Sequence, residues 1–409
     1  MRRPGERRVL HWLSPIVALL GCGDAAPGDG LGQAASGGSP ILSATSGAGG
    51  VVGQAGASPP LGGSAGQAGA TPPGSGAGGA GGAVAGSGGE AGGMAGGAGA
   101  SAGGAGAGAG GTSGAVAYPM LEADQIGEPV SVADGFDLAE SPLWDPCEHR
   151  LLFTDVTASV IHALSADEQV SVFMMNTSNA NGIAFDVDGS LILAQMGGDP
   201  GHVSRRDRMG NVARLDPPSP ALHTPDDVIV RSDGTIYFSD GDFYPIGSLL
   251  GAFDQLPVYA LKPGSSMLQS GGNVGGPNGV ELSPDESILY VSAYGDGNVV
   301  AFDVAADGSL TKGEPVIRSL SNPDSLCLDA AGNLYVGVRS GLHVARPDGT
   351  RVTLIPITSS MGTTSCGFGG DDGRTLYITS WTTLWKIEAM PIPGQDFLAN
   401  QARIACDRP

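Results

Sequence analysis

Six residues recur at matching places in the C-terminal part of the chain: Glu140, Asn181, Asp226, Asn278, Asp324 and Ser365. Their spacings are 41, 45, 52, 46 and 41 residues. Every side chain offers an oxygen, and none is His or Cys. Carboxylates gathered away from water repel one another and lose hydration, so such a set calls for a cation. All-oxygen ligation by mixed carboxylates and amides suits Ca²⁺ best, with Mg²⁺, Mn²⁺ and Zn²⁺ left open. The alternative is that each residue caps a strand and bonds turn amides, as Asn and Asp often do. That explains any one of the six but not their common register.

The elements that must position these residues are short strands. Each register residue opens a strand, a tight turn and a second strand, as in Pro277-Asn278-Gly279-Val280-Glu281-Leu282 followed by Ile288-Leu289-Tyr290-Val291. Further strands follow in place, such as Val299-Val300-Ala301-Phe302 and Leu384-Trp385-Lys386-Ile387. No strongly amphipathic helix is expected. A period of about 40–50 residues with several strands per unit marks a propeller blade. The predicted fold is all-β: a six-bladed β-propeller over residues 118–409, with Glu128 to Val132 closing the last blade. First strands of blades crowd the central channel, so the register residues should ring its mouth.

These units resemble the SMP-30/gluconolactonase/LRE-like family, the regucalcin-like calcium-dependent lactonases. The resemblance rests on Glu140-Ser141-Pro142-Leu143-Trp144, Asn179-Ala180-Asn181-Gly182 and Thr224-Pro225-Asp226-Asp227-Val228. It extends through Pro277-Asn278-Gly279, Pro323-Asp324-Ser325 and Thr364-Ser365-Cys366-Gly367-Phe368. It implies one divalent metal held by Glu140, Asn278 and Asp324, with Asp226 beside the metal or the substrate. Where the family usually has Asn, Asp226 adds a carboxylate. Met196 replaces a polar residue, and Ser325 replaces a Gly. These departures leave the metal set whole and put sugar-lactone specificity in doubt.

The implied chemistry is ring opening of a lactone whose carbonyl is polarised by the cation. Asp324 is the candidate general base, and Asn181, Asp226 and Asn278 would orient the substrate. The rival is a metal-containing propeller that binds or senses a small molecule without turnover. The expected partner is a small lactone or sugar-derived molecule, and the propeller is expected to be a monomer. Asp186-Val187-Asp188-Gly189 starts like a calcium loop but lies between two strands and reads as a hairpin turn.

Composition bounds the rest. The chain has 409 residues, 70 of them Gly, and a net charge of -21. Such acidity repels phosphate backbones and argues against nucleic-acid binding. Arg2, Arg3, Arg7 and Arg8 precede the apolar run Leu13 to Leu20, and Leu19-Leu20-Gly21-Cys22 resembles a bacterial lipobox. Residues 1–22 are therefore expected to be a lipoprotein signal, with Cys22 lipidated. Residues 23–117 are almost wholly Gly, Ala, Ser, Pro and Gln, a disordered tether. The expected location is the bacterial envelope, at the outer membrane. Export permits disulfides. Cys147 and Cys406 are a possible pair, whereas Cys327 and Cys366 read as buried free thiols.

Overall fold

The computed structural model describes residues 117–198, 200–241, 243, 255–311, 313–359 and 361–406. The expected signal, Cys22 and the expected tether up to residue 116 lie outside the described residues.

Among the described residues, twenty-two strands form an all-β propeller. The first sheet group contains β1 (Val130–Asp145), β2 (Arg150–Asp155), β3 (Val160–Leu164) and β4 (Val170–Met175). The next four-stranded sheet contains β5 (Ala180–Phe185), β6 (Leu191–Gln195), β7 (His202–Arg206) and β8 (Val212–Arg214). It is followed by β9 (Thr224–Val230), β10 (Ile236–Gly241), β11 (Gln255–Leu261) and β12 (Leu268–Gly275). Then come β13 (Pro277–Leu282), β14 (Ile288–Ala293), β15 (Asn298–Asp303) and β16 (Glu314–Ile317). The last such sheet holds β17 (Leu326–Leu328), β18 (Leu334–Val338), β19 (Gly341–Ala345) and β20 (Arg351–Pro356). Strands β21 (Ser365–Gly369) and β22 (Thr375–Ile387) join the first group.

The blade count needs correction. Hydrogen bonding yields five sheets among the described residues, four of four strands and one of six, rather than six separate blades. The cause is two long strands. The start of β1 pairs with β22, Val130 opposite Lys386, while its end pairs with β2, Trp144 opposite Leu151. The N-terminal stretch thus closes the ring as expected, but without a break that would separate the first repeat from the last. The two halves of this large sheet also pack together: Trp144 stacks on Tyr377 at 6.4 Å, within a cluster that includes Phe153 and Leu384.

The core lies between neighbouring sheets. Leu152 and Ile161 meet Ile183 and Leu193, Val203 meets Phe238, Val258 meets Leu289, Val299 meets Val336, and Leu342 meets Leu376. Strands β5, β9, β13 and β21 are buried along their whole lengths because both faces are covered. Among the described residues one α-helix, α1 (Gln395–Arg403), was not anticipated. At nine residues it is shorter than the window over which helical periodicity is read, although its sequence is amphipathic, with Phe397 and Asn400 buried. Its Arg403 donates to the carbonyls of Phe185 and Val230, at the far ends of β5 and β9. The helix therefore closes the channel opposite the mouth.

The cysteines also differ from expectation. Cys147 and Cys406 are bonded, with Cα atoms 5.0 Å apart. Cys327 and Cys366 are not free thiols but a second disulfide, their Cα atoms 5.6 Å apart. They stand on adjacent innermost strands, β17 and β21, a proximity that 39 residues of sequence separation conceal.

Candidate active site

Bulges aim four of the six register residues into the channel. In β9, Pro225 pairs with Asp240 and Val228 with Phe238, so Asp226 and Asp227 both face the single residue Ser239. The same two-against-one irregularity falls at Asn181 and Gly182 in β5 and at Asn278 and Gly279 in β13. In β1 it follows Glu140. A bulge bends its strand and re-aims a side chain, here beside Glu140, Asn181, Asp226 and Asn278, whereas Ser365 sits in a regular ladder and Asp324 just precedes β17. The glycines answer to close approach. A Cβ on Gly182 would lie 2.6 Å from the Cα of Asp227, and one on Gly279 would lie 2.6 Å from the Cα of Ser325. The Asn-Gly pairs thus combine a polar group for the channel with room for the next strand.

Hydroxyls latch these bulges together. Thr154 donates to the Asn181 carbonyl at 2.9 Å. Ser292 accepts from the Gly279 amide at 2.7 Å and donates to the Asp324 carbonyl. Asp227, absent from the predicted site, does similar work at greater reach. Its carboxylate accepts the amides of Val228 and Val280 and the hydroxyl of Ser325, tying three neighbouring repeats together. The visible signal was the Asp226-Asp227 doublet. In a regular strand its members would face opposite sides, and only the bulge turns both towards the ring.

Of the predicted residues, Glu140, Asn181, Asp226, Asn278 and Ser365 are buried, and Asp324 is half-buried. Glu140, Asp226 and Asp324 are close enough to perturb one another. Burial, then the charges of Asp324, Asp226 and Asp227, pushes the Glu140 carboxyl well above its usual range. Burial, then Asp324 and Asp227, does the same to Asp226. Asp324 is pushed up to about 8, mainly by burial, against the opposing hydrogen bond from Asn278. Asp227 is raised to about 7 by burial, although its amide bonds pull it down.

Two buried oxygens in this ring lack partners: Oε2 of Glu140 and Oδ1 of Asn278. A buried acceptor without a donor is costly, so a ligand that satisfies both is expected there. Glu140, Asn278 and Asp324 form an oxygen-only donor set that fits a hard divalent cation. Among the described residues, no three His, Cys, Asp or Glu side chains could hold an ion by themselves, so the amide of Asn278 is needed in the set. Asn181 is placed differently. Its Nδ2 points at the sulfur of Met196, 3.5 Å away.

Comparison with known proteins identifies related chains. The family model described as SMP-30/Gluconolactonase/LRE-like region matches residues 138–382. A gluconolactonase from Zymomonas mobilis is 25% identical over 294 residues, covering 64% of this chain and 82% of its own. The solved gluconolactonase of Xanthomonas campestris superposes with a TM-score of 0.58 at 27% identity, covering 65% of this chain and 89% of that one. A calcium-binding protein, regucalcin, from Agrobacterium tumefaciens has a TM-score of 0.54 at 17% identity, covering 66% and 97%. At that identity it shows the shared fold.

Proposed function

The chain belongs to the SMP-30/gluconolactonase/LRE-like family, and from that premise we propose that it is a divalent-metal-dependent lactonase, with Ca²⁺ as the cation. The observation that carries this reading is the pair of orphaned oxygens, Glu140 Oε2 and Asn278 Oδ1, in a ring of mutually repelling carboxylates. Glu140, Asn278 and Asp324 would hold the ion, with Asp226 adding negative charge beside it. When bound, the cation would polarise the lactone carbonyl.

The residues supply the rest. Asp324 takes a proton from the attacking water as the new C–O bond forms. The ring C–O bond then breaks, and a proton passes to the departing alkoxide, leaving a hydroxy acid. With its carboxyl pushed up to about 8, Asp324 is mostly protonated at neutral pH in the metal-free protein and is a poor base. A neighbouring positive charge lowers that value and frees the carboxylate. Metal dependence thus follows from the electrostatics of Asp324. Asn278, Asn181 and Asp226 orient the substrate. The gluconolactonase names among the relatives support a lactone substrate.

The test is hydrolysis of a lactone panel before and after EDTA treatment. Activity should vanish with the chelator and return with Ca²⁺. Chelator-insensitive hydrolysis would overturn the metal role, and no hydrolysis under any condition would favour the binding propeller instead. We also propose that residues 1–22 direct export, that Cys22 carries the lipid anchor, and that residues 23–117 tether a monomeric propeller to the outer membrane. The two disulfides support an oxidising compartment. Cys22→Ala should leave the membrane fraction, and unchanged fractionation would remove the anchor from this reading.

A further inference from the structure

We infer that the mouth of the propeller selects lactones bearing an apolar alkyl or aryl substituent over polyhydroxylated sugar lactones. This deepens the lactonase reading and rests on it. Four repeats deliver a large or apolar side chain to the rim just after the second strand passes the register residue. They are Val156 after β2, Met196 after β6, Tyr294 after β14, and Trp381 within β22, opposite Ala139. Together with Leu138 and Phe243 they form one packed cluster. The fifth repeat departs from the pattern, with exposed Arg339 following β18.

This collar adjoins the acidic ring. Leu138 lies two residues before Glu140 on β1 and accepts the Val156 amide at 2.9 Å. The sulfur of Met196 accepts from Asn181, one of the groups assigned to the substrate. Tyr294 lies within electrostatic reach of Asp324, and the ring of Phe243 meets it at 5.8 Å. Leu138, Val156, Met196 and Phe243 are buried, while Tyr294, Trp381 and Asp324 are half-buried. A substrate at the mouth therefore meets the half-buried rings of Tyr294 and Trp381, with Met196 and Leu138 almost covered behind them and Val156 sealed beneath.

Such a collar discriminates by chemistry. A sugar lactone presents hydroxyls, and each one buried without a partner is penalised. The aromatic ring faces and Leu138 offer no strong hydrogen bond, and the Met196 sulfur is only a weak acceptor, here already engaged by Asn181. An alkyl or aryl substituent instead gains by leaving water.

The test uses the full chain with Ca²⁺ and two substrates, δ-decalactone and glucono-δ-lactone. Each kcat/KM is divided by the uncatalysed hydrolysis rate. The expected result is a preference of about tenfold or more for δ-decalactone, the scale at which pocket contacts discriminate. Met196→Gln should shrink that ratio by about fivefold or more, and Met196→Leu should preserve it. Trp381→Gln, at a half-buried side chain of the collar, provides a second polar variant if thermal melting shows Met196→Gln misfolded. Equal or reversed preference in the native chain overturns the inference. So does an unchanged ratio in folded polar variants. Hydrolysis of neither substrate would sink the lactonase reading itself, whereas hydrolysis of glucono-δ-lactone alone would sink only the apolar selection.

Discussion

The central channel buries carboxylates at both ends, and the two groups have opposite solutions. At the mouth, Glu140, Asp226 and Asp324 act on one another, and two oxygens of the ring have no partner. At the closed end, Glu281 of β13 and Asp396 of α1 are hydrogen-bonded to each other, with Arg403 of the same helix near enough to offset their charge. Arg403 itself is fully engaged, bonding the carbonyls of Phe185 and Val230 and the side chain of Asn400. Between the ends lies a cavity of about 40 Å³ lined by Asp227, Glu281 and Asp396 among others. Buried acid alone is therefore not a site. The closed end is satisfied from within the chain, by a shared proton and a cation on a helix. The mouth is not, and its unmet acceptors point to something from outside.

The largest expected effect is at the mouth. Asp324→Asn keeps an oxygen for the cation but removes the base, since an amide does not usefully accept the proton. Hydrolysis should fall by about 10²–10⁴, the usual worth of general-base help. Calorimetry should still detect Ca²⁺ binding. A variant as fast as the native chain would remove Asp324 from catalysis and make the two ends more alike than proposed.

A smaller effect concerns stability. Ca²⁺ at a hundredfold excess over its Kd should stabilise the chelator-stripped protein by about 2.7 kcal/mol. Glu140→Gln should blunt that gain, whereas Glu281→Gln should leave it intact. Thermal melting with and without Ca²⁺ makes the comparison. An equal loss of response in both variants would mean that the cation senses the whole channel rather than its mouth.

The smallest effect is the pH response of the closed end. Burial, then the charge of Asp396, raises the Glu281 carboxyl well above its ordinary range, and burial raises Asp396. Both carboxyls hold protons more tightly folded than unfolded. Their stabilising contribution is complete below the ordinary carboxyl range, near pH 4, and is lost as pH rises through the folded values. Glu281→Gln removes one of these titrations, so its melting temperature should decline less steeply above pH 4 than that of the native chain. Parallel pH profiles would show that the pair is not titrating as described.

Much of this molecule is readable from local sequence because it is repeated. A bulge that re-aims a channel residue needs a polar side chain and often a following Gly, so Asn181-Gly182 and Asn278-Gly279 announce themselves wherever they occur. Alternating apolar strands at a period of about 40–50 residues then dictate a propeller, since each unit can bury its faces only against its neighbours. The register residues, the strand closing the ring and the oxygen-only character of the site follow from that pattern. What depends on closure of the ring does not. Whether the first and last repeats share one sheet is decided by pairing between Val130 and Lys386. The disulfide of Cys327 with Cys366 requires β17 and β21 to be side by side, and Cys147 reaches Cys406 across 259 residues. Asp227 becomes a stitch between three repeats only when Val280 and Ser325 are brought to it. The apolar collar joins Leu138 to Met196, Tyr294 and Trp381, residues whose periodic spacing carries no common motif. Local chemistry repeats and can be read along the chain; contacts between distant repeats depend on geometry that exists only once the ring is closed.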